Sequence, residues 1–123
     1  MSIDVRCRIW LEKEGEPFMG DRLAAYLEAI EQLGSISAAA RASGVSYRTI
    51  WDAINRTEKV YGKSLILRHS GGAGGGGCRL TDHGRRLLTG YLRYRKKIRQ
   101  DCISELGRLL PGLEAKELPT EDS

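Results

Sequence analysis

The segment GSISAAARASGVSYRTIWDAINRTEKVYG, residues 34–62, constrains this chain more than any other stretch of it. Ser37 can cap a short helix through Ala38, Ala39, Ala40, Arg41 and Ala42. The small side chains of that helix let another helix approach closely. Gly44 can supply the positive φ that a tight inter-helix turn requires, and Val45 is an apolar plug for the turn. Ser46 can then cap a second helix over roughly 47–60. Two helices joined by a short turn containing glycine form the helix-turn-helix supersecondary unit.

The second helix is two-faced. At about 100° per residue, Ile50, Ala53, Ile54, Thr57, Val60 and Tyr61 fall on one side, with Arg48, Asp52, Asn55 and Lys59 opposite. Tyr47 and Trp51 lie on the flank between them. Arg and Asn on an exposed helical face can make paired hydrogen bonds to guanine and adenine edges. Taken alone, such a face is an ordinary solvated one; the helix-turn-helix spacing before it favours the recognition reading. Arg48 and Asn55, with Tyr47, are the candidates for base readout. Ser46 and Thr49 are candidates for phosphate or base contact at the helix N-terminus. Asp52 can accept from cytosine, or orient Arg48 or Arg56 through a helical ion pair. Trp51 suits packing between this helix and the wing described below better than base stacking. Arg41, Lys59, Lys63, Arg68 and Arg79 are candidate phosphate contacts.

Charge is placed unevenly. Residues 1–34 carry four Lys/Arg against seven Asp/Glu, and residues 100–123 carry two against six. The stretch between them, 35–99, carries fourteen against three, a net +11 inside a chain of net +4. That central block is what a polyanion-binding face needs, although a solvated surface can be equally basic.

Ile3, Val5, Cys7, Ile9 and Leu11 alternate with Asp4, Arg6, Arg8 and Trp10, which predicts an N-terminal strand over 3–12, ended by turn chemistry at Glu14, Gly15, Glu16 and Pro17. Leu23, Tyr26, Leu27, Ile30 and Leu33 predict an amphipathic helix over 21–33, with Asp21 as N-cap and Gly34 as its stop. Short strands over 64–68 and 78–81 flank a glycine-rich tip and predict a hairpin, or wing. Thr81 or Asp82 then caps a helix over about 82–110. A helix near that length greatly exceeds the globular mean of about 11–12 residues and suggests an inter-subunit seam. Its apolar positions Leu88, Tyr91, Tyr94, Ile98, Cys102 and Leu106 are the candidate dimerisation residues. The expected class is mainly α with a small β wing: one domain over 1–110, then a flexible acidic tail over 111–123.

Other chemistries fit less well. Gly72, Gly74 and Gly77 formally match GxGxxG, but a glycine run matches almost any glycine pattern, and a strand rather than a helix follows it. No Lys-Ser/Thr follows the run, so it is not a P-loop. Cys7, Cys78 and Cys102 have no CxxC spacing, and His69 and His83 form no metal or catalytic cluster. No catalytic residue, metal or cofactor is implied, and the chain is not expected to be an enzyme. No apolar stretch reaches the ~20 residues of a membrane helix, and MSIDVRCRIW lacks a signal core. A cytoplasmic protein with no membrane partner is therefore expected.

Several pieces together are familiar. GSIS, TIWDAIN, the GG-x-GGGG run, and the spacing of Leu80, Thr81, Gly84 and Leu87 as LT-x-x-G-x-x-L resemble the LysR-type winged helix-turn-helix. More closely, they resemble the N-terminal DNA-binding domain of the ModE-type molybdate-dependent regulators. The resemblance covers nearly the whole chain. It implies a transcriptional regulator whose helix 46–60 enters the major groove of double-stranded DNA, whose wing follows the adjacent backbone or minor groove, and whose helix 82–110 pairs two copies on an inverted-repeat operator. Full regulators of this type carry C-terminal oxyanion-binding modules, and this chain ends at Ser123, where they would begin. The expectation is thus a ModE-like regulator without its own molybdate-binding module. The alternative is an interaction module that heterodimerises with a full-length regulator, or with a separate oxyanion-binding, effector-sensing protein.

Overall fold

The computed structural model describes residues 3–69 and 77–112. In chain order the elements are β1 (Leu11–Lys13), β2 (Glu16–Met19), α1 (Asp21–Leu33), α2 (Ile36–Ser43), α3 (Tyr47–Tyr61), β3 (Ile66–His69), β4 (Gly77–Leu80) and α4 (Asp82–Leu109). The architecture is mainly α, with two small antiparallel strand pairs, β1 with β2 and β3 with β4.

The N-terminal strand needs correcting. Side chains alternate between half-buried and exposed from Ile3 to Glu12, but the paired strand starts only at Leu11. Glu16 and Pro17, expected in the turn, open the second strand of a hairpin, with Glu12 opposite Pro17 and Lys13 opposite Glu16. The reversal takes only Glu14 and Gly15, both at positive φ (52° and 83°), the pattern of a two-residue hairpin loop. Proline is tolerated here because a two-stranded sheet is all edge.

Helix α1 has the expected bounds and buries Leu23, Ala24, Tyr26, Leu27 and Ile30. Its N-cap is Gly20, so Asp21 is its first residue rather than its cap. The Asp21 carboxylate instead accepts from the Tyr91 hydroxyl at 2.6 Å and from Arg95 at 2.8 Å, tying α1 to α4. Helix α2 also starts earlier than expected. Ser35, not Ser37, is the cap, its Oγ accepting from the Ala38 N–H at 3.0 Å. That shift puts Ile36, Ala39 and Ala40 in the core. Gly44 takes the left-handed conformation at φ 70°, and the Val45 N–H returns to the Ala40 carbonyl at 3.1 Å. The chain therefore turns within three residues, from α2 to α3.

Helix α3 buries Ile50, Ile54 and Thr57. The Thr57 hydroxyl donates to the Phe18 carbonyl at 2.6 Å, and the Phe18 and Tyr61 rings stack 5.8 Å apart. The unforeseen hairpin thus braces the C-terminal half of α3. The Glu58 carboxylate accepts from the Leu65 N–H at 2.8 Å and fixes the turn into β3.

The wing pairs Ile66 with Leu80, Leu67 with Arg79, Arg68 with Cys78 and His69 with Gly77. The expected glycine-rich tip lies outside the described residues. The Cys78 N–H donates to the Gly34 carbonyl at 2.8 Å, anchoring β4 to the end of α1. Thr81 caps α4, accepting from the Gly84 N–H at 3.0 Å. Gly84 packs directly on the backbone of Leu65, the residue before β3: a Cβ there would stand 2.2 Å from the Leu65 carbonyl oxygen. Leu80, Thr81 and Gly84 of the LT-x-x-G spacing are therefore a strand end, a cap and a close approach.

Candidate nucleic-acid interface

The N-terminus of α3 is built by Ser46. Its Oγ accepts from the Thr49 N–H at 3.0 Å and lies 2.9 Å from Thr49 Oγ1. Both side chains remain exposed, so this helix end offers hydroxyls beside its first N–H groups. Behind them, Ile50, Ile54 and Thr57 hold the helix to the core, which turns the opposite side outward. Arg48, Thr49, Asp52, Asn55, Arg56 and Lys59 are all exposed there.

Arg48 is 88% exposed and its Nε lies 3.7 Å from the Asp52 carboxylate. Of the roles open to Asp52, the structure shows the helical ion pair with Arg48. A pair so exposed contributes little stability, on the order of a few tenths of a kcal/mol.

The wing separates two residues that the sequence reading grouped. Register places Arg68 opposite Cys78, on the face that carries Ile66 and Leu80 into the core. From there its guanidinium reaches α3. It donates to the Tyr47 hydroxyl at 3.1 Å and lies 5.0 Å over the Trp51 ring. Arg79 pairs with Leu67 on the other face and is exposed. The structure therefore brings together Tyr47, Trp51 and Arg68, and sends Arg79 away from them. Trp51 is half-buried between helix and wing, as its flank position suggested. Arg41 on α2 and Lys63 after α3 are exposed. The Tyr47–Arg68 contact went unseen in the sequence because it spans 21 residues and depends on strand register.

The expected seam residues divide. Leu88 and Tyr91 are buried in the chain's own core, so they have no surface to offer a second copy. The Tyr91 hydroxyl also donates to Asp21, and burial and that carboxylate push its pKa up to about 12. Tyr94 is 54% exposed, while Ile98, Cys102 and Leu106 are half-buried. Leu109 and Leu110 are exposed beyond them. Among the described residues, no group of three or more His, Cys, Asp or Glu could hold a metal ion, and no helix is long and apolar enough to cross a membrane.

Residues 22–85, from α1 through the start of α4, match the family model of bacterial regulatory helix-turn-helix proteins of the lysR family. The chain belongs to that family. Its similarity to curated proteins narrows the relationship. It is 43% identical over 74 residues to the transcriptional regulator ModE of Yersinia pestis, covering 60% of this chain and 28% of that protein. It is 39% identical over 84 residues to the molybdenum transport protein ModE of Azotobacter vinelandii, covering 68% of this chain and 31% of that protein. Over 90 residues it is 39% identical to the molybdenum-pterin-binding protein MopB of Rhodobacter capsulatus, covering 72% of this chain and 33% of that protein. The chain thus spans about a third of the length of these relatives. Among solved structures it resembles the CbnR DNA-binding domain in complex with DNA, with TM-score 0.52 and 23% identity, over 72% of this chain and 93% of that one. The fold is that of a winged-helix domain. The described residues carry the helix-turn-helix of that bacterial regulatory family and are related in sequence to ModE.

Proposed function

We propose that this chain binds an inverted-repeat operator in double-stranded DNA as a homodimer, reading bases through Arg48 and Asn55 on α3. The observation that carries the reading is the α3 stripe of Arg48, Asp52, Asn55 and Lys59: all four exposed, and held out by a helix whose other side is locked into the core. A helix of about 10–12 Å diameter fits the roughly 12 Å major groove. Ser46 and Thr49 meet phosphate at the helix end. Lys59, Lys63, Arg41 and Arg79 supply backbone charge. Similarity to proteins named as ModE regulators, and to a domain solved on DNA, supports the same partner.

The homodimer rests on α4. Tyr94, Ile98, Cys102 and Leu106 recur at three- and four-residue spacing, with Leu109 continuing the run, and Tyr94 and Leu109 are exposed in a single copy. Pairing two copies there would present two α3 helices about one duplex turn, ~34 Å, or a multiple of it apart. The same face would serve a hetero-partner, and mass in solution separates the two arrangements.

Selection of bound duplexes from a random pool tests the function. The expected product is a two-fold symmetric motif with half-sites one turn or a multiple apart. Enrichment of no motif overturns the proposal.

A further inference from the structure

We propose that Arg68 is a specificity-determining positioning residue: it holds Tyr47 as a hydrogen-bond donor toward an acceptor on a base edge. The inference rests on the reading of α3 as the helix that meets the major groove.

Arg68 starts from a strand position opposite Cys78, on the inner face of the wing. Its guanidinium lies over the Trp51 ring and donates to the Tyr47 hydroxyl oxygen. Two contacts from one planar group fix its orientation, which a lysine could not reproduce, because an ammonium is a compact point charge with no plane to stack. Tyr47 is the first residue of α3, where side chains of a recognition helix meet base edges. A phenol has one hydrogen to give and an oxygen that accepts. With the oxygen facing a guanidinium that can only donate, the hydroxyl hydrogen is left as the group Tyr47 presents to a ligand. Purine N7, guanine O6 and thymine O4 accept such a bond in the major groove, whereas the cytosine amino group donates and is refused. Arg68 therefore acts on base choice through Tyr47, and Arg79, on the other face of the wing, carries the backbone charge.

Random-pool selection and salt-titrated binding with the full chain test this. Tyr47→Phe removes the hydroxyl, and Arg68→Lys keeps the charge but not the plane. Both are expected to flatten preference at the same position of the half-site by about tenfold, the worth of one well-placed hydrogen bond. The double variant is expected to lose no more than either alone, and Arg68→Lys to leave the salt slope unchanged. Arg79→Ala is expected to lower the salt slope with base preference intact. Arg68→Lys with full base preference overturns the proposal, as does a loss in Tyr47→Phe at a different position from that in Arg68→Lys. A wild-type chain that enriches no motif overturns the DNA reading itself, and this proposal with it.

Discussion

The Arg68 guanidinium lies 5.0 Å from the centroid of the Trp51 ring, linking the wing to α3 across 17 residues of sequence. A cation over an indole face contributes about 0.5–2 kcal/mol, depending on desolvation. Trp51→Ala removes that contact and the half-buried packing with it, so a loss of about 1–3 kcal/mol is expected, with Trp51→Phe losing less. Urea midpoints report both. An alanine variant as stable as the parent would show that the ring does not fasten the wing.

Two glycines of α4 make opposite predictions. A methyl at Gly84 would stand 2.2 Å from the Leu65 carbonyl oxygen, which is backbone and cannot step aside. Gly84→Ala should therefore cost several kcal/mol, about 2–4, through displacement of the Leu65 backbone from α4. A methyl at Gly90 meets nothing within 4 Å. Gly90 is exposed and mid-helix, so Gly90→Ala should stabilise by up to about 1 kcal/mol. Thermal unfolding of the pair tests the contrast, and equal effects at both positions would contradict it.

Stability should depend on the protonation of Asp21. Burial pushes its pKa up, but hydrogen bonds from Tyr91 and Arg95 and the charges of Arg95 and Arg99 outweigh this, leaving the carboxyl below its usual value. The unfolded chain then takes up a proton at a higher pH than the folded chain does. The contribution is complete above the ordinary carboxylate range and is lost as pH falls through the lowered folded value. Asp21→Asn should be less stable than the parent near neutrality, and the gap should close in acid. Tyr91 acts at the other extreme. With its pKa raised to about 12, its contribution holds below the ordinary tyrosine value and fades as pH rises through 12. Denaturation midpoints across pH check both signs; a gap that widened in acid would contradict the Asp21 account.

The start of α2 gives a direct comparison of two serines. Ser35→Ala removes the oxygen that accepts from the Ala38 N–H and should cost about 1 kcal/mol. Ser37 is exposed inside the helix, so Ser37→Ala should be neutral or slightly stabilising. Unfolding curves that show the larger loss at Ser37 would restore the cap expected from the sequence.

Much of the scaffold was legible because its signals are local. The bounds of α1 follow from Leu23, Tyr26, Leu27 and Ile30, and the turn into α3 from Gly44 and Ser46. The errors arose where two local signals compete. Ser35 and Ser37 are both good caps, and only the burial of Ile36 decides between them. Pro17 reads as a turn residue, yet an edge strand without a ladder donor accepts it. Leu88 and Tyr91 have the same periodicity as Tyr94 and Ile98, and periodicity does not say where a helix leaves its own core for a partner's. Within the candidate interface, the exposed stripe of α3 was legible from the helical wheel. The Tyr47–Arg68 bond was not, because it depends on the register of β3 against β4 and on how the wing seats against α3.

The central claim is that Arg48 reads base identity. Salt-titrated binding of the parent and Arg48→Ala to a selected operator and to a scrambled duplex tests it most directly. The expected result is a loss of about 1–3 kcal/mol on the operator, with much less on the scrambled duplex. Equal losses on both duplexes would reduce Arg48 to a phosphate contact and contradict the account.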